Sequence, residues 1–380
     1  MLNYAVTLTT GATSYVIPLR IENTRILWFG GAIMRTFDYS SLKYRTWDND
    51  ILNYLSQIHE YKGKQELYLS KSPEKLEKLV EIAKIQSTES SNAIEGIRTT
   101  NARLMKLCSD KTTPKNRSEQ EILGYRNVLN IVHESFEYIP IRPSYILQLH
   151  RELYALSALS IGGKYKNGQN YISGVDPEGN QYTIFTPLSP FETPEAIQQI
   201  CDEYNKAIDQ SVVDPLLLIP VFIHDFLCIH PFNDGNGRMS RLITTLLLYR
   251  AGYVVGRYVS LEKIVSENKE LYYDTLQSSQ DGWHEGCDDP SPFIKYLLGT
   301  ILAAYREFER RMDIITENLP AIEKVRKATS FKIGKFNKTD IMELCPALSN
   351  TTVQKALSAL VNDGYLERHG NGKATFYTVK

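Results

Sequence analysis

The stretch His230-Pro231-Phe232-Asn233-Asp234-Gly235-Asn236-Gly237-Arg238-Met239-Ser240-Arg241 joins two apolar segments of helical spacing. Gly235 and Gly237 let the backbone turn tightly and approach a ligand without a Cβ in the way. The turn opens directly into a helix, whose free N–H groups and dipole favour an anion. Successive N–H groups in such a turn also form an anion-binding nest. Arg238 and Arg241 stand three apart, on one face of the first helical turn, and both can reach phosphate oxygens. Asp234 is a hard carboxylate beside that anion site, suited to Mg²⁺ bridging nucleotide phosphates. His230, at the end of the preceding helix, is a titratable base. Taken singly, an Asp-Gly-Asn-Gly is commonly a turn and a helix-end histidine commonly a cap. Here base, carboxylate, glycines and paired arginines fall within twelve residues. Neither GxxxxGK[ST] nor GxGxxG after a strand occurs, which disfavours a P-loop kinase or ATPase.

Working outward, helices are expected at 118–137, 143–156, 194–209, Pro215–Ile229, 238–249, 261–276 and 292–315. Asp214-Pro215 supplies an N-cap and a first-turn proline, and Gly252 closes the helix after the motif. An earlier helix has Ser72 as cap, Pro73 and Glu74 in its first turn, and Leu76, Leu79, Val80 and Ala83 at helical spacing. It runs towards Ile94 and stops at Gly96. The polar run 111–117, with Pro114, is expected to be a loop. Between 162 and 190 the chain is rich in Gly, Asn and Thr. There 170–173 and 181–185 flank Asp176-Pro177-Glu178-Gly179, the pattern of a β-hairpin with a type I-like turn. A hairpin among helices lacks neighbouring strands, so an exposed, function-bearing loop is expected. In the first seventy residues, 4–8 and 15–19 are candidate strands or arms, and 47–60 is a candidate helix.

Composition bounds the rest. At 380 residues the chain suggests two or three domains. Hydrophobic residues make up 42% and charged residues 23%, ordinary for globular protein. Forty-three Lys+Arg against forty-four Asp+Glu give a net charge of −1, so the whole chain is no general polyanion binder. Cys108, Cys201, Cys228, Cys287 and Cys345 are scattered, without a CxxC pair, which argues against a disulfide framework or zinc site and fits a cytoplasmic protein. The opening MLNYAVTLTT lacks signal-peptide character, and the longest apolar run is too short to span a bilayer, so no membrane partner is expected. From Ala321 onward ten Lys/Arg face five Asp/Glu. That segment reads as helix 339–344, a turn, helix 350–362, then strands 366–369 and 374–379 joined around Asn371-Gly372.

The motif 230–241 is a complete match to HPFxDGNGRxxR, and the chain resembles the Fic (filamentation induced by cAMP) family. The resemblance implies a mainly α fold: a Fic-type helical core with a β-hairpin flap, plus a small C-terminal winged-helix (α+β) domain. The corresponding boundaries are 1–117 for an N-terminal region with an inhibitory helix (about 72–96), 118–315 for the catalytic core and 321–380 for the winged helix. It further implies a nucleotidyltransferase that moves AMP from Mg-ATP to a Ser, Thr or Tyr hydroxyl of a target protein. His230 would take the hydroxyl proton and Asp234 would hold Mg²⁺ on the α- and β-phosphates. Gly235, Asn236 and Gly237 would line the anion hole, Arg238 would bind phosphate and Arg241 would fix the γ-phosphate. Phe232 and Asn233 group with this ATP site, although packing beneath the loop suffices to explain Phe232. Asn268, Tyr272 and Tyr273 fall on a helix whose family counterpart borders adenine and ribose, and Tyr273 is the candidate contact.

Ser91-Asn92-Ala93-Ile94-Glu95-Gly96 matches the family's inhibitory pattern [ST]xxxE[GN]. By that resemblance Glu95 would pair with Arg241, withhold it from the γ-phosphate and place ATP unproductively, with Ser91 on the same helix face. The hairpin 170–187 would be the flap that clamps an extended target by strand addition. Just before it, Lys166 stands where relatives often carry arginine. His224, Cys228, His133 and His150 are expected to be packing or surface residues. In the C-terminal unit, Asn350, Thr352, Gln354, Lys355 and Lys373 are of types that bind DNA, and protein contact or homodimerisation is the competing use. Two other functions stand beside AMP transfer: a nucleotide-sensing transcription regulator without catalysis, and deAMPylation or another nucleotidyl transfer at the same site.

Overall fold

The structure is a computed structural model and describes residues 4–10, 13–19, 28–29, 32–33 and 35–380, apart from Ser72, Ala158 and Pro177. The expected cap at Ser72 and the turn proline Pro177 therefore lie outside the described residues, as does the Lys373 side chain. Strands β1 (Tyr4–Thr10) and β2 (Thr13–Leu19) pair antiparallel, with Tyr4 opposite Leu19, and β3 (Trp28–Phe29) pairs β4 (Ala32–Ile33). Helices α1 (Asn49–Lys71), α2 (Pro73–Ile94), α3 (Asn101–Cys108), α4 (Arg117–Ser135) and α5 (Pro143–Leu153) follow. After the hairpin β5 (Ile172–Val175) and β6 (Gln181–Phe185) come α6 (Thr193–Asp209), α7 (Pro215–Ile229) and α8 (Asn236–Arg250). Helices α9 (Leu261–Glu267), α10 (Lys269–Gln280) and α11 (Ser291–Thr316) complete the larger bundle. Then α12 (Ala321–Ser330), α13 (Lys338–Leu344) and α14 (Asn350–Asn362) precede the antiparallel pair β7 (Leu366–His369) and β8 (Phe376–Val379). The protein is mainly helical.

Helix α7 is buried from Leu216 to Ile229, as a helix apolar all round must be. Together with α8 it forms the axis of one continuous core that includes Phe222, Phe226, Leu242, Leu246, Ile294 and Ile301. The N-terminal helices join this core through Ile51, Ile58, Leu79 and Ile94, so they form a layer on it. A second cluster, containing Val325, Ile341, Val353, Leu357 and Tyr377, serves the last sixty residues. Phe336 makes an isolated bridge to Tyr377 beside the terminal hairpin.

Several elements differ from the sequence expectation for physical reasons. The helix expected over 261–276 breaks at Asn268, whose backbone leaves helical geometry while its amide donates to the Ile264 carbonyl at 3.0 Å. Helix α3 was not foreseen, because Leu104 and Leu107 are its only buried residues, and too few for a period. The first strand of the hairpin starts two residues late, since the Asn170 side chain is used elsewhere, as shown below. Helix α8 starts two residues early because Gly235, at φ +86, takes the N-cap position.

Helices α4 and α5 approach most closely at Gly124, where a Cβ would overlap the Leu153 carbonyl oxygen. Gly124→Ala should therefore push the two helices apart and destabilise by about 1–3 kcal/mol in urea unfolding. An unchanged midpoint would contradict this contact.

Candidate active site

The chain leaves α7 through His230, a non-glycine residue in the left-handed region at φ 52. That conformation costs about 1–3 kcal/mol and persists only where surrounding contacts over-determine it. They do here. The Asn236 side chain accepts from the Phe232 N–H at 2.9 Å and donates to the Phe232 carbonyl at 2.7 Å, closing the loop in both directions. The Phe232 ring is fully buried and stacks on His150, with centroids 3.7 Å apart and planes 3° from parallel. The ring thus supports the loop from below. His150 accepts from the Gly163 N–H at Nδ1, so its Nε2 carries the proton and donates to the Asp234 carbonyl at 3.1 Å. Burial pushes this imidazole down to about 4, which keeps that neutral tautomer in place.

Above the loop lies a cavity of about 160 Å³, bordered by residues 233–238, with His230 and Glu95 on its walls. The N–H groups of Asn236, Gly237 and Arg238 belong to the first turn of α8 and have no intrahelical acceptor. His230 Nδ1 lies 3.3 Å from the Leu227 carbonyl and must be the donor, which leaves Nε2 with a free lone pair. Burial pushes the imidazole from 6.5 down to about 4; the Leu227 bond opposes this and the nearby Lys166 adds to it. Asp234 is half-exposed: one oxygen accepts from the Gly235 N–H at 2.7 Å, and the other lies 3.4 Å from Arg117.

The two arginines differ in their surroundings. Arg238 is buried, ion-paired to Glu121 at 2.7 Å, and donates to the Tyr154 hydroxyl at 2.7 Å. Its guanidinium, expected to bind phosphate, is in this structure engaged beneath the loop. Arg241 is buried too, and donates to the Ser91 hydroxyl at 2.8 Å, the Ser91 carbonyl at 2.9 Å and the Glu95 carboxylate at 2.7 Å. A Cβ on Gly237 would overlap the same Glu95 oxygen, so a larger residue there would displace the carboxylate from this position. Helix α2 is fixed at two further points. Ser87 donates to buried Glu262 at 2.7 Å, and Lys269 donates to the Ile94 carbonyl at 2.6 Å.

Asn233 bonds Asn167 at the hairpin root in both directions, at 3.1 and 3.4 Å. Tyr273 is 43% exposed, with the Lys269 ammonium 5.6 Å from its ring centre, and does not border the cavity. His224 and Cys228 are fully buried in α7. Sequence reasoning missed Glu121, Tyr154, Ser87, Glu262 and Lys269. Glu121 left a signal as a charged residue on the apolar stripe of Ile122, Tyr125 and Leu129.

Residues 140–248 match the Fic/DOC family, and the chain carries a Fic domain. Among curated proteins, it is 25% identical over 210 residues to protein adenylyltransferase fic-1 of Caenorhabditis elegans, covering 53% of this chain and 36% of that one. It is 27% identical over 223 residues to protein adenylyltransferase Fic of Culex quinquefasciatus, covering 57% and 39%. The chain thus spans less than half the length of these relatives. A Fic family protein from Desulfovibrio desulfuricans shares the fold, with TM-score 0.57 and 21% identity over 88% of this chain and 97% of that one. A Fic domain containing signaling protein from Bacteroides thetaiotaomicron gives TM-score 0.54 and 25% identity over 68% and 95%.

The His230 ring should titrate near 4 when followed by NMR of its ring carbons. Because the folded value lies below the unfolded one, its neutral burial contributes stability that is full above about 6.5 and is lost as pH falls towards 4. A midpoint at or above 6.5 would contradict the geometry of this pocket.

Proposed function

We propose that the protein is an autoinhibited protein adenylyltransferase that uses Mg-ATP. One observation carries the reading: the Glu95 carboxylate sits on Arg241 at 2.7 Å, on the wall of the cavity that His230 also borders. The N–H groups at the start of α8 would receive the phosphates, and Arg241, once released, the γ-phosphate. His230 Nε2 would accept the proton of a target Ser, Thr or Tyr hydroxyl as its oxygen attacks the α-phosphorus. The new P–O bond carries AMP, the bond to the bridging oxygen breaks, and pyrophosphate leaves. Such a transfer asks mainly for positioning and charge stabilisation, which a pre-built loop supplies.

No group of three or more metal-ligating side chains occurs among the described residues. A magnesium ion carried in by phosphates needs less, and the single half-exposed carboxylate of Asp234 beside the cavity fits that demand. Bound there, the ion would neutralise charge on the leaving pyrophosphate.

The hairpin β5–β6 is the proposed target clamp, with its tip closed by the Asp176 carbonyl accepting from Gly179 at 3.0 Å. The unit from α12 to β8 is proposed as a winged helix, and its α14 exposes Asn350, Thr351 and Lys355. The proposed division is then 1–117, 118–315 and 321–380. Among the described residues no helix is long and apolar enough to cross a membrane.

Incubation with α-labelled and γ-labelled ATP tests the reaction. Glu95→Gly should raise α-label on protein by about 10-fold or more, and adding His230→Ala should silence it. Retention of γ-label, or equal labelling by wild type and Glu95→Gly, would overturn the proposal.

A further inference from the structure

The segment between α5 and the hairpin is bonded to the turn that carries His230 at every carbonyl from Ile229 to Phe232. Lys166 donates its ammonium to the Ile229 carbonyl at 2.9 Å and its backbone N–H to the Pro231 carbonyl at 2.8 Å. Asn170 donates to the carbonyls of His230 at 3.4 Å and Phe232 at 3.1 Å. The Lys166 ammonium also bonds the Asn170 side-chain oxygen at 3.1 Å, so the two residues act as one bracket. Lys166 is only 3% exposed, and among the described residues no carboxylate lies within ion-pair distance of it. Its ammonium hydrogens are given to a motif carbonyl and to Asn170, which ties both residues to the path of the turn.

We infer that Lys166, with Asn170, is a positioning residue that couples the hairpin to the left-handed turn at His230, so that target docking and base alignment are one event. The inference rests on the proposed reading of the hairpin as target clamp and of His230 as base. Burial lowers the Lys166 ammonium to about 8, with the charge of Glu192 opposing the shift. The bracket is also separate from the nucleotide side of the cavity. Neither Lys166 nor Asn170 touches the N–H groups at the start of α8, or Arg241, which Ser91 and Glu95 hold. Loss of the bracket should therefore impair transfer and spare nucleotide binding.

The test uses the full chain with Glu95→Gly as background, adding Lys166→Met, Lys166→Arg or Asn170→Ala. Hydrogen exchange should show 163–170 and 229–236 losing protection together in Lys166→Met and Asn170→Ala, while α1 and α11 keep theirs. The kcat of AMP transfer should fall about 10- to 100-fold, with ATP affinity by calorimetry within about twofold of background. Lys166→Arg, which restores a cation with several donors, should recover most of the loss. Loosening of 163–170 with 229–236 still protected would overturn the inference, as would ATP affinity falling in step with kcat. If the Glu95→Gly background transfers no AMP, the functional reading fails, and the exchange experiment alone decides the bracket.

Discussion

A guanidinium buried to 6% exposure must have an anion beside it, and Arg241 has Glu95. Burial alone would disfavour its charge, yet the carboxylate of Glu95 beside it raises its hold on the proton. The same guanidinium lies one helical turn into α8, where a phosphate chain resting on the loop would end. On the proposed reading, one cation serves two anions that cannot both be present. Helix α2 carries Ser87 and Ser91 on one face, and the turn that closes it carries Glu95, so the resting partner arrives with a docked helix. Release of Arg241 then requires either a small movement of Glu95, which is about one-third exposed, or undocking of a buried polar face.

Beneath the cavity the loop is held largely by residues of two helices. Helix α4 contributes Glu121 to Arg238, α5 contributes His150 to Asp234 and Phe232, and Tyr154 at the C-cap of α5 accepts from Arg238. The close approach at Gly124 lets both helices reach the same few residues. Supports on rigid elements give the small tolerances that phosphoryl-type chemistry needs. The hairpin, by contrast, is fixed at its root, by the bracket of Lys166 and Asn170 on one side and by Phe185 against Trp283 and His284 on the other.

Much of this was legible because local chemistry set it. Helix α7 appears with the ends read from Asp214-Pro215 and the motif, and α14 with the ends read from its apolar spacing. The motif residues were visible because turn glycines, paired arginines and a carboxylate are informative side by side. What the sequence concealed is tertiary. The engagement of Arg238 with Glu121, 117 positions earlier, leaves no local trace, nor does the stacking of Phe232 on His150. The break at Asn268 escaped because the apolar period continues through it. Asn170 looked like strand residue and is instead a donor to two carbonyls of the motif.

On the proposed reading, Glu95 and a γ-phosphate compete for Arg241. Calorimetric affinities for ATP and ADP in wild type, Glu95→Gly, Arg241→Ala and the double variant measure that competition directly. Glu95→Gly should raise the preference for ATP over ADP, and this gain should vanish when Arg241 is absent. A gain of the same size with and without Arg241 would contradict it.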